Sequence, residues 1–188
     1  MKKELTAAVL AAALSAPTFA ADTYAIDPNH TFPVFEVNHL GFSTQRGRFD
    51  KTGGQVILDP AAKTGSVDLT IDTRSLDMGF ATWNQHLSEE GFFNVEKYPT
   101  MTFKSQKLVF DGDKVVAAEG QFTLLGVTRP LTVTVSGFRC GPHPMTKKPH
   151  CGGDVTATFK RSDFGMTKFL PAVGDDVRIY VPVEADKI

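Results

Sequence analysis

The chain has 188 residues, and its 20 lysines and arginines against 21 aspartates and glutamates give a formal net charge of −1. This balance argues against a nucleic-acid partner and against electrostatic attraction to an anionic membrane. The length suits one domain, and 15 phenylalanines beside 1 tryptophan and 3 tyrosines bring much apolar area with few polar groups.

The N-terminus has the features of an export signal. Two lysines follow the initiator methionine, an apolar stretch covers residues 5–14, and residues 18–20 have the small-x-small pattern of a cleavage site. The apolar stretch is shorter than the ~20 residues that a transmembrane helix needs. We therefore predict that residues 1–20 are a cleaved signal peptide, that 21–188 form a single domain, and that the mature protein is periplasmic or secreted.

Alternating apolar and polar residues predict strands through the first half of the mature chain. Pro33 disfavours pairing at the start of the first long strand, so we expect an unpaired end or a bulge there. Glycines and the Asp59-Pro60 pair mark turns between the strands. The strands themselves are marked by Phe35, Val37 and His39, by Val56-Ile57-Leu58, and by Val67, Leu69 and Ile71.

A short helical insertion around Trp83–Val95 interrupts the strands. Thr82 and Gln85 have the spacing of a capping box, which predicts a helix over residues 83–90 that stops at Gly91. Large apolar side chains concentrate in this insertion, as expected of a segment that plugs or lines something hydrophobic. They are Trp83, Leu87, Phe92 and Phe93.

The second half has the more regular alternation. Two strands are predicted after Pro99, over Met101–Ser105 and Leu108–Phe110. The later apolar faces consist of Gly120, Phe122 and Leu124; Leu131, Val133 and Val135; Val155, Ala157 and Phe159; and Val177, Ile179, Val181 and Val183. Eight or more amphipathic strands indicate an antiparallel all-β domain, either a barrel or a sandwich.

The phenylalanine-rich inner faces leave two interpretations of the interior. An eight-stranded up-and-down barrel has room for one ligand, and these faces would line its cavity. Alternatively, the same side chains fill a solid core. Periodicity does not separate the two.

Cys140 and Cys151 flank a loop of glycine, proline and charged residues. In an oxidising compartment they predict a disulfide, which would close a loop of about 12 residues, worth about 3 kcal/mol in the chain-entropy model. His143 and His150 lie between them, so a metal site is the alternative. Because the spacings match no common zinc pattern, we predict the disulfide, in a surface loop, and no metal.

The common catalytic and nucleotide-binding motifs are absent from the sequence. Asp27 with His30, or Glu89 with His86, could form an acid–base pair, but either is as readily a cap or a surface pair. His30, His39 and His86 are spread along the chain, and the sequence leaves open whether one of them contacts a ligand head group. We predict a protein that is not an enzyme.

Several segments together resemble the YceI-like family, in order and in spacing, over nearly all of the mature chain. The segments are Tyr24-Ala25-Ile26-Asp27, His30-Thr31, Phe35-x-Val37-x-His39, Gly47-x-Phe49, His86-Leu87, Phe92-Phe93, Tyr98-Pro99, Thr102-Phe103-x-Ser105, Gly120-x-Phe122-Thr123-Leu124-x-Gly126-Val127-Thr128, Arg161-Ser162-Asp163-Phe164-Gly165-Met166 and Val177 to Glu184. The chain departs from the family at residues 83–85, where an arginine and an aspartate are common, and in its cysteine-flanked loop.

The resemblance implies an extended, eight-stranded lipocalin-like barrel that holds a polyisoprenoid, such as a polyprenyl lipid or an isoprenoid quinone, and needs no other cofactor. Transient membrane contact is expected, and a homodimer is one open option. An enzyme acting on a small apolar substrate, and a filled barrel acting through protein contacts, stay open as alternatives. The predicted cavity-lining residues are Phe35, Val37, Trp83, Leu87, Phe92, Phe93, Met101, Phe103, Phe122, Leu124, Val133, Val135, Phe159, Met166 and Ile179.

Overall fold

The computed structural model describes residues 21–188, and the predicted signal peptide lies outside them. Eleven strands, one α-helix and two short 3₁₀ turns make up the described chain. The strands are β1 (Asp22–Ile26), β2 (Val34–His39), β3 (Ser43–Phe49), β4 (Thr52–Asp59), β5 (Thr64–Asp72), β6 (Leu76–Asp77), β7 (Thr100–Asp111), β8 (Lys114–Leu124), β9 (Val127–Pro142), β10 (Pro149–Lys160) and β11 (Val173–Lys187); the helix is α1 (Ala81–Ser88), and the 3₁₀ turns are Thr73–Ser75 and Arg161–Phe164.

Eight of the strands close into an antiparallel barrel. Their order around the ring is β1-β4-β5-β7-β8-β9-β10-β11, and β1 pairs with β11 to complete it. This confirms the predicted all-β, eight-stranded barrel with one short helical insertion.

The last strand, β11, is long enough to pair with two different strands along one edge. Its C-terminal part pairs with β1, from Ile26 opposite Ala185 to Tyr24 opposite Lys187. Its N-terminal part pairs with β2, which continues through β3 to β6. Pro33 directly precedes β2. Because proline has no backbone N–H to donate, the strand begins at the next residue.

The barrel has two distinct ends. The helix end carries α1, the β2–β3 turn and residues 168–171, because the start of β11 pairs with the end of β2. The hairpin end carries the β9–β10 hairpin, because His150 at the start of β10 pairs with Asp186 at the end of β11.

Strand β7 corrects the expectation of two strands over Met101–Ser105 and Leu108–Phe110. The ladder with β8 is continuous apart from bulges, one of them between Ser105 and Lys107. Ser105 is 1% exposed, and its hydroxyl donates to the Glu119 carbonyl (2.7 Å) and accepts from the Lys107 N–H (3.1 Å). A buried serine thus satisfies the backbone groups that the bulge frees.

The predicted capping box is wrong, and the helix lies two residues earlier than expected. Phe80 is the N-cap residue without a side-chain cap, and its carbonyl accepts from the Trp83 and Asn84 N–H groups (3.0 Å each). Residues 89–95 form turns, in which the Phe93 N–H donates to the Leu87 carbonyl and the Val95 N–H to the Ser88 carbonyl (3.0 Å each), and α1 ends before Gly91. Within residues 21–188, no helix is long and apolar enough to cross a membrane.

The disulfide forms, but its cysteines are not in a loop. Cys140 on β9 lies directly opposite Cys151 on β10 in the strand ladder. The connecting turn is therefore shorter than predicted, over residues 143–148. Since both sulfurs are bonded to each other, they are not available as ligands of a metal ion.

Candidate functional site

The interior of the barrel contains an apolar cavity of about 460 Å³. This volume lies within the range of about 300–1,000 Å³ that is usual for small-molecule sites. The wall receives side chains from all eight ring strands and also from β2, β3 and α1. The interior is therefore a hollow core, which favours the cavity over the solid core among the two interpretations of the sequence.

The structure places all fifteen predicted lining residues at the wall of this cavity. The alternation that predicted the inward faces holds because the ladders keep their register. Phe103 lies opposite Phe122, and Phe35 lies opposite Ile179, so these large side chains meet on the inside. That a ligand contacts these residues remains a prediction.

Two triads of phenylalanine rings pack at or behind the cavity wall near the helix end. Phe122, Phe159 and Phe164 have ring centroids 5.2–5.4 Å apart. The second triad has centroid separations of 5.1–5.8 Å and consists of Phe35, Phe49 and Phe93. Tilted and edge-on ring pairs at these distances contribute beyond their buried area.

Two glycines in the strands leave room for the rings of inward-pointing phenylalanines. This role of the glycines could not be identified from the sequence. A Cβ atom at Gly47 would lie 2.6 Å from the ring tip of Phe35, and one at Gly120 would lie 2.7 Å from that of Phe103. The rings thus lie against bare backbone at these positions. Alternation alone marked Gly120 as inward without indicating this use.

The cavity reaches the surface of the helix end through a group of aromatic side chains. Trp83, His86, Phe92 and Phe169 border it there, and the ring centroids of His39 and Trp83 are 6.3 Å apart. His39 also borders the cavity, whereas His30 does not.

Large apolar side chains stand exposed around this opening, and we call them the aromatic rim. They lie on the β2–β3 turn, on α1 with its N-cap, and on the segment before β11. The rim consists of Leu40, Phe42, Phe80, Trp83 and Phe169, which are 40–91% exposed. The Lys168 ammonium lies 5.5 Å from the Phe169 ring centroid and adds a positive charge beside the rim.

Arg161 is the buried cation at this end, and the sequence gave no sign of its role. Its side chain borders the cavity and is 3% exposed. It donates to four backbone carbonyls at 2.8–3.0 Å, those of Met166, Lys168, Val173 and Gly174. Burial lowers the pKa of Arg161, and the negative charge of Asp175 opposes this change. The residue fixes the segment that carries Phe169.

Neither predicted acid–base pair has the position expected of catalytic machinery in this cavity. His30 Nδ1 lies 2.6 Å from Asp27 Oδ2, but this pair does not border the cavity. The hydrogen bond from His30 lowers the pKa of Asp27, and the same bond raises that of His30. His86 borders the cavity, and its 3.8 Å approach to Glu89 joins two half-exposed side chains.

One cysteine of the disulfide lies in the barrel interior, whereas the bridge was predicted in a surface loop. Cys151 is 8% exposed and borders the cavity at the hairpin end, together with Gly152 and Gly153. Strand β10 places Cys151 on its inward face, in alternation with the outward His150. The bridge therefore also forms part of the cavity wall.

Comparisons with known proteins agree on one family. Residues 24–185 match the YceI-like domain. A UPF0312 protein of Vibrio cholerae is 38% identical over 186 residues, which cover 96% of this chain and 97% of the relative. The crystal structure of Burkholderia cenocepacia BcnA is similar with a TM-score of 0.69 at 26% identity, over 85% of this chain and 99% of that one.

A third relative is similar in fold. The structure of a polyisoprenoid binding domain from Saccharophagus degradans, implicated in plant cell wall breakdown, has a TM-score of 0.61 at 15% identity. The match covers 88% of this chain and 98% of that domain.

Proposed function

Since this chain belongs to the YceI-like domain family, we propose that it is a lipid-binding protein that holds a polyisoprenoid chain in its barrel, for storage or transport. The ligand class includes polyprenyl lipids and isoprenoid quinones. The observation that carries the proposal is the hollow, almost wholly apolar interior that opens at the aromatic rim. The polyisoprenoid binding domain of similar fold supports the choice of ligand.

The energetics of transfer favour a long chain over a small apolar substrate. Each buried methylene contributes about 0.8 kcal/mol, so ten of them contribute about 8 kcal/mol. Association costs an estimated 4–15 kcal/mol in lost freedom, which leaves little net affinity for a molecule of that size. A polyisoprenoid has several times as many carbons, so the same wall can bind it tightly without polar contacts to the tail.

We propose binding without turnover as the activity. The wall is made mainly of Phe, Leu, Val, Ile and Met, which hold hydrocarbon but transfer no protons. The signal-like N-terminus and the disulfide support a periplasmic or secreted location.

Filling the cavity with a larger side chain tests the proposal. Val135 lies on the inward face of β9 and borders the cavity, so we expect Val135→Trp to occupy ligand space and to reduce co-purifying lipid at least tenfold. Thr134→Trp is the matched control, because Thr134 is exposed on the outer face of the same strand. Organic-solvent extraction and mass spectrometry of both variants and the wild type give the amount of lipid per protein.

The outcomes of this experiment are distinct. Lipid in the wild type and in Thr134→Trp, with little in a folded Val135→Trp, supports the proposal. A wild-type extract without lipid, from a protein that also fails to take up added isoprenoid, would overturn it. Turnover of an added isoprenoid would favour the enzyme instead.

The aromatic rim is the proposed membrane contact through which lipid passes. Exposed aromatic groups partition into the bilayer interface, and here they surround the opening of the cavity. We expect Phe42→Ser combined with Phe80→Ser to weaken binding to phosphatidylcholine vesicles about tenfold, because two large apolar groups no longer insert.

Met145→Ser is the control for the vesicle experiment. Met145 is 86% exposed, but it lies in the β9–β10 turn at the hairpin end. Vesicle flotation measures the bound fraction of each protein. Equal loss in both variants would show that exposed apolar area in general causes the binding, and would contradict a specific rim.

A further inference from the structure

A second group of side chains lies outside the barrel, near the hairpin end and apart from the cavity. Two imidazoles and three carboxylates converge where β1 closes on β11, and we call them the imidazole–carboxylate cluster. Its members come from the turn after β1, from β10 and from β11: Asp27, His30, His150, Glu184 and Asp186. The proposed lipid function uses none of them.

Glu184 lies between the two imidazoles. Its Oε2 atom is 3.1 Å from His150 Nε2 and 4.0 Å from His30 Nδ1. His30 Nδ1 is also 2.6 Å from Asp27 Oδ2. The ligand atoms of Asp27, His30 and Glu184 all lie within 4.8 Å of one another.

The chain holds Glu184 in place through its backbone. The Asp27 N–H donates to the Glu184 carbonyl (2.9 Å), and the Glu184 N–H donates to the Thr31 hydroxyl (3.0 Å). Thr31 is fully buried, so the turn that carries His30 is anchored to β11. The two histidines thus approach Glu184 from segments fixed by ordinary barrel hydrogen bonds.

The contacts of His150 point to a cation. Its Nδ1 is 2.9 Å from Asp186 Oδ1, while its Nε2 is 3.1 Å from Glu184 Oε2. A neutral imidazole has one N–H, so it can donate to one of these carboxylates and must turn a lone pair toward the other, unless a second proton or a metal ion lies between them. With Nδ1–H on Asp186, the Nε2 lone pair and the Glu184 oxygen face each other, and a metal ion between them would satisfy both.

We propose that the imidazole–carboxylate cluster binds one divalent transition-metal ion, with Zn²⁺ as the probe. The ligands would be His30 Nδ1, His150 Nε2 and the carboxylates of Asp27 and Glu184. Nitrogen and carboxylate donors suit Zn²⁺, and Asp186 would orient His150 through its other nitrogen, as carboxylates do beside metal-bound histidines.

Metal binding would need side-chain movements from the present geometry. Zn–N and Zn–O distances of about 2.0–2.2 Å place tetrahedral ligand atoms ~3.3 Å apart. The separations between neighbours along Asp27, His30, Glu184 and His150 are 2.6, 4.0 and 3.1 Å, which bracket that value. His150 lies outside the group of three residues whose ligand atoms are all within 4.8 Å of one another, so its imidazole has the larger distance to move. His30 is 61% exposed at its side chain, so it is free to turn from Asp27 toward a shared ion.

A metal ion here would stabilise the closure of the barrel between β1 and β11. Strands β1 and β11 pair over only three residues of each strand. The ion would join the turn after β1 to both β10 and β11. Because it binds the folded barrel and not the separated segments, it would raise the melting temperature in proportion to the logarithm of its concentration.

The test uses untagged protein stripped with a chelator and titrated with ZnCl₂ by calorimetry and thermal melting. We expect one ion per chain and a rise in melting temperature. His30→Ala, His150→Ala and Glu184→Gln should each weaken binding at least tenfold. Glu184→Gln keeps the shape of the side chain and so tests binding in a folded barrel.

His86→Ala is the matched control, because His86 also stands beside a carboxylate, Glu89, but has no second imidazole. It should leave zinc affinity unchanged. His143→Ala tests a rival arrangement, since the His143 and His150 ring centroids are 5.1 Å apart. Absence of zinc binding in the wild type, or loss of it in His143→Ala with retention in His30→Ala, would overturn the proposal.

Discussion

We expect Phe122→Asp to lower the free energy of unfolding by more than about 4 kcal/mol and to leave the protein without bound lipid. The Phe122 side chain is 5% exposed, and its ring contacts those of Phe159 and Phe164. Truncating a buried phenylalanine alone costs about 3–5 kcal/mol. The new carboxylate adds a desolvation cost, either as a charge or through the proton that it must bind.

Gln121→Asp is the control for this change. Gln121 precedes Phe122 on β8, and its side chain is exposed on the outer face. Here the same new charge meets water, so the free energy of unfolding should change by less than about 0.5 kcal/mol and the lipid content should stay the same. Urea unfolding followed by circular dichroism gives the stabilities, and solvent extraction gives the lipid. Wild-type lipid content in a folded Phe122→Asp protein would show that lipid binds elsewhere.

The second large effect is expected from Arg161→Met, which keeps most of the side-chain length but removes every donor. The carbonyls within residues 166–174 that now accept from the guanidinium would lose their partner. Each buried acceptor left without a donor costs about 1–3 kcal/mol, so we expect a loss of at least about 3 kcal/mol. The segment that carries Phe169 should also exchange its amide hydrogens faster.

Arg129→Met is the control that separates the effect of burial from the effect of losing an arginine donor. Arg129 also donates to a carbonyl, that of Asp163 at 3.3 Å, but its side chain is exposed. Water can replace that donor, so we expect a change below about 1 kcal/mol. Equal effects of the two substitutions in urea unfolding would contradict the role given to Arg161.

The strands and their inward faces could be predicted from the sequence because each strand carries its own alternation, whereas the choice of a barrel over a sandwich came from the family resemblance. Phe35, Phe122 and Ile179 could be oriented without knowledge of their neighbours, since side chains on a strand alternate between its two faces. The helix start was less predictable. Thr82 has the residue type and spacing of a cap, but the backbone carbonyl of Phe80 takes that place.

The features missed by sequence reasoning depend on residues that are distant along the chain. Gly47 appears in the sequence as a strand interruption, and only the ring of Phe35 on the paired strand shows its use. The imidazole–carboxylate cluster joins His30 to Glu184 across the closing seam. Arg161 lies in a recognisable segment, yet its partners are backbone carbonyls, which every residue has.

The seam between the first and the last strand also determines when the barrel can be completed. Tyr24 pairs with Lys187, and the Asp22 carboxylate lies 2.6 Å from the Lys187 ammonium, so the two ends of the described chain lie side by side. Contacts of such sequence separation form late, because a long loop must close first. A chain delivered from its N-terminus would therefore keep an open sheet, with β1 unpaired along one edge, until its last residues arrive.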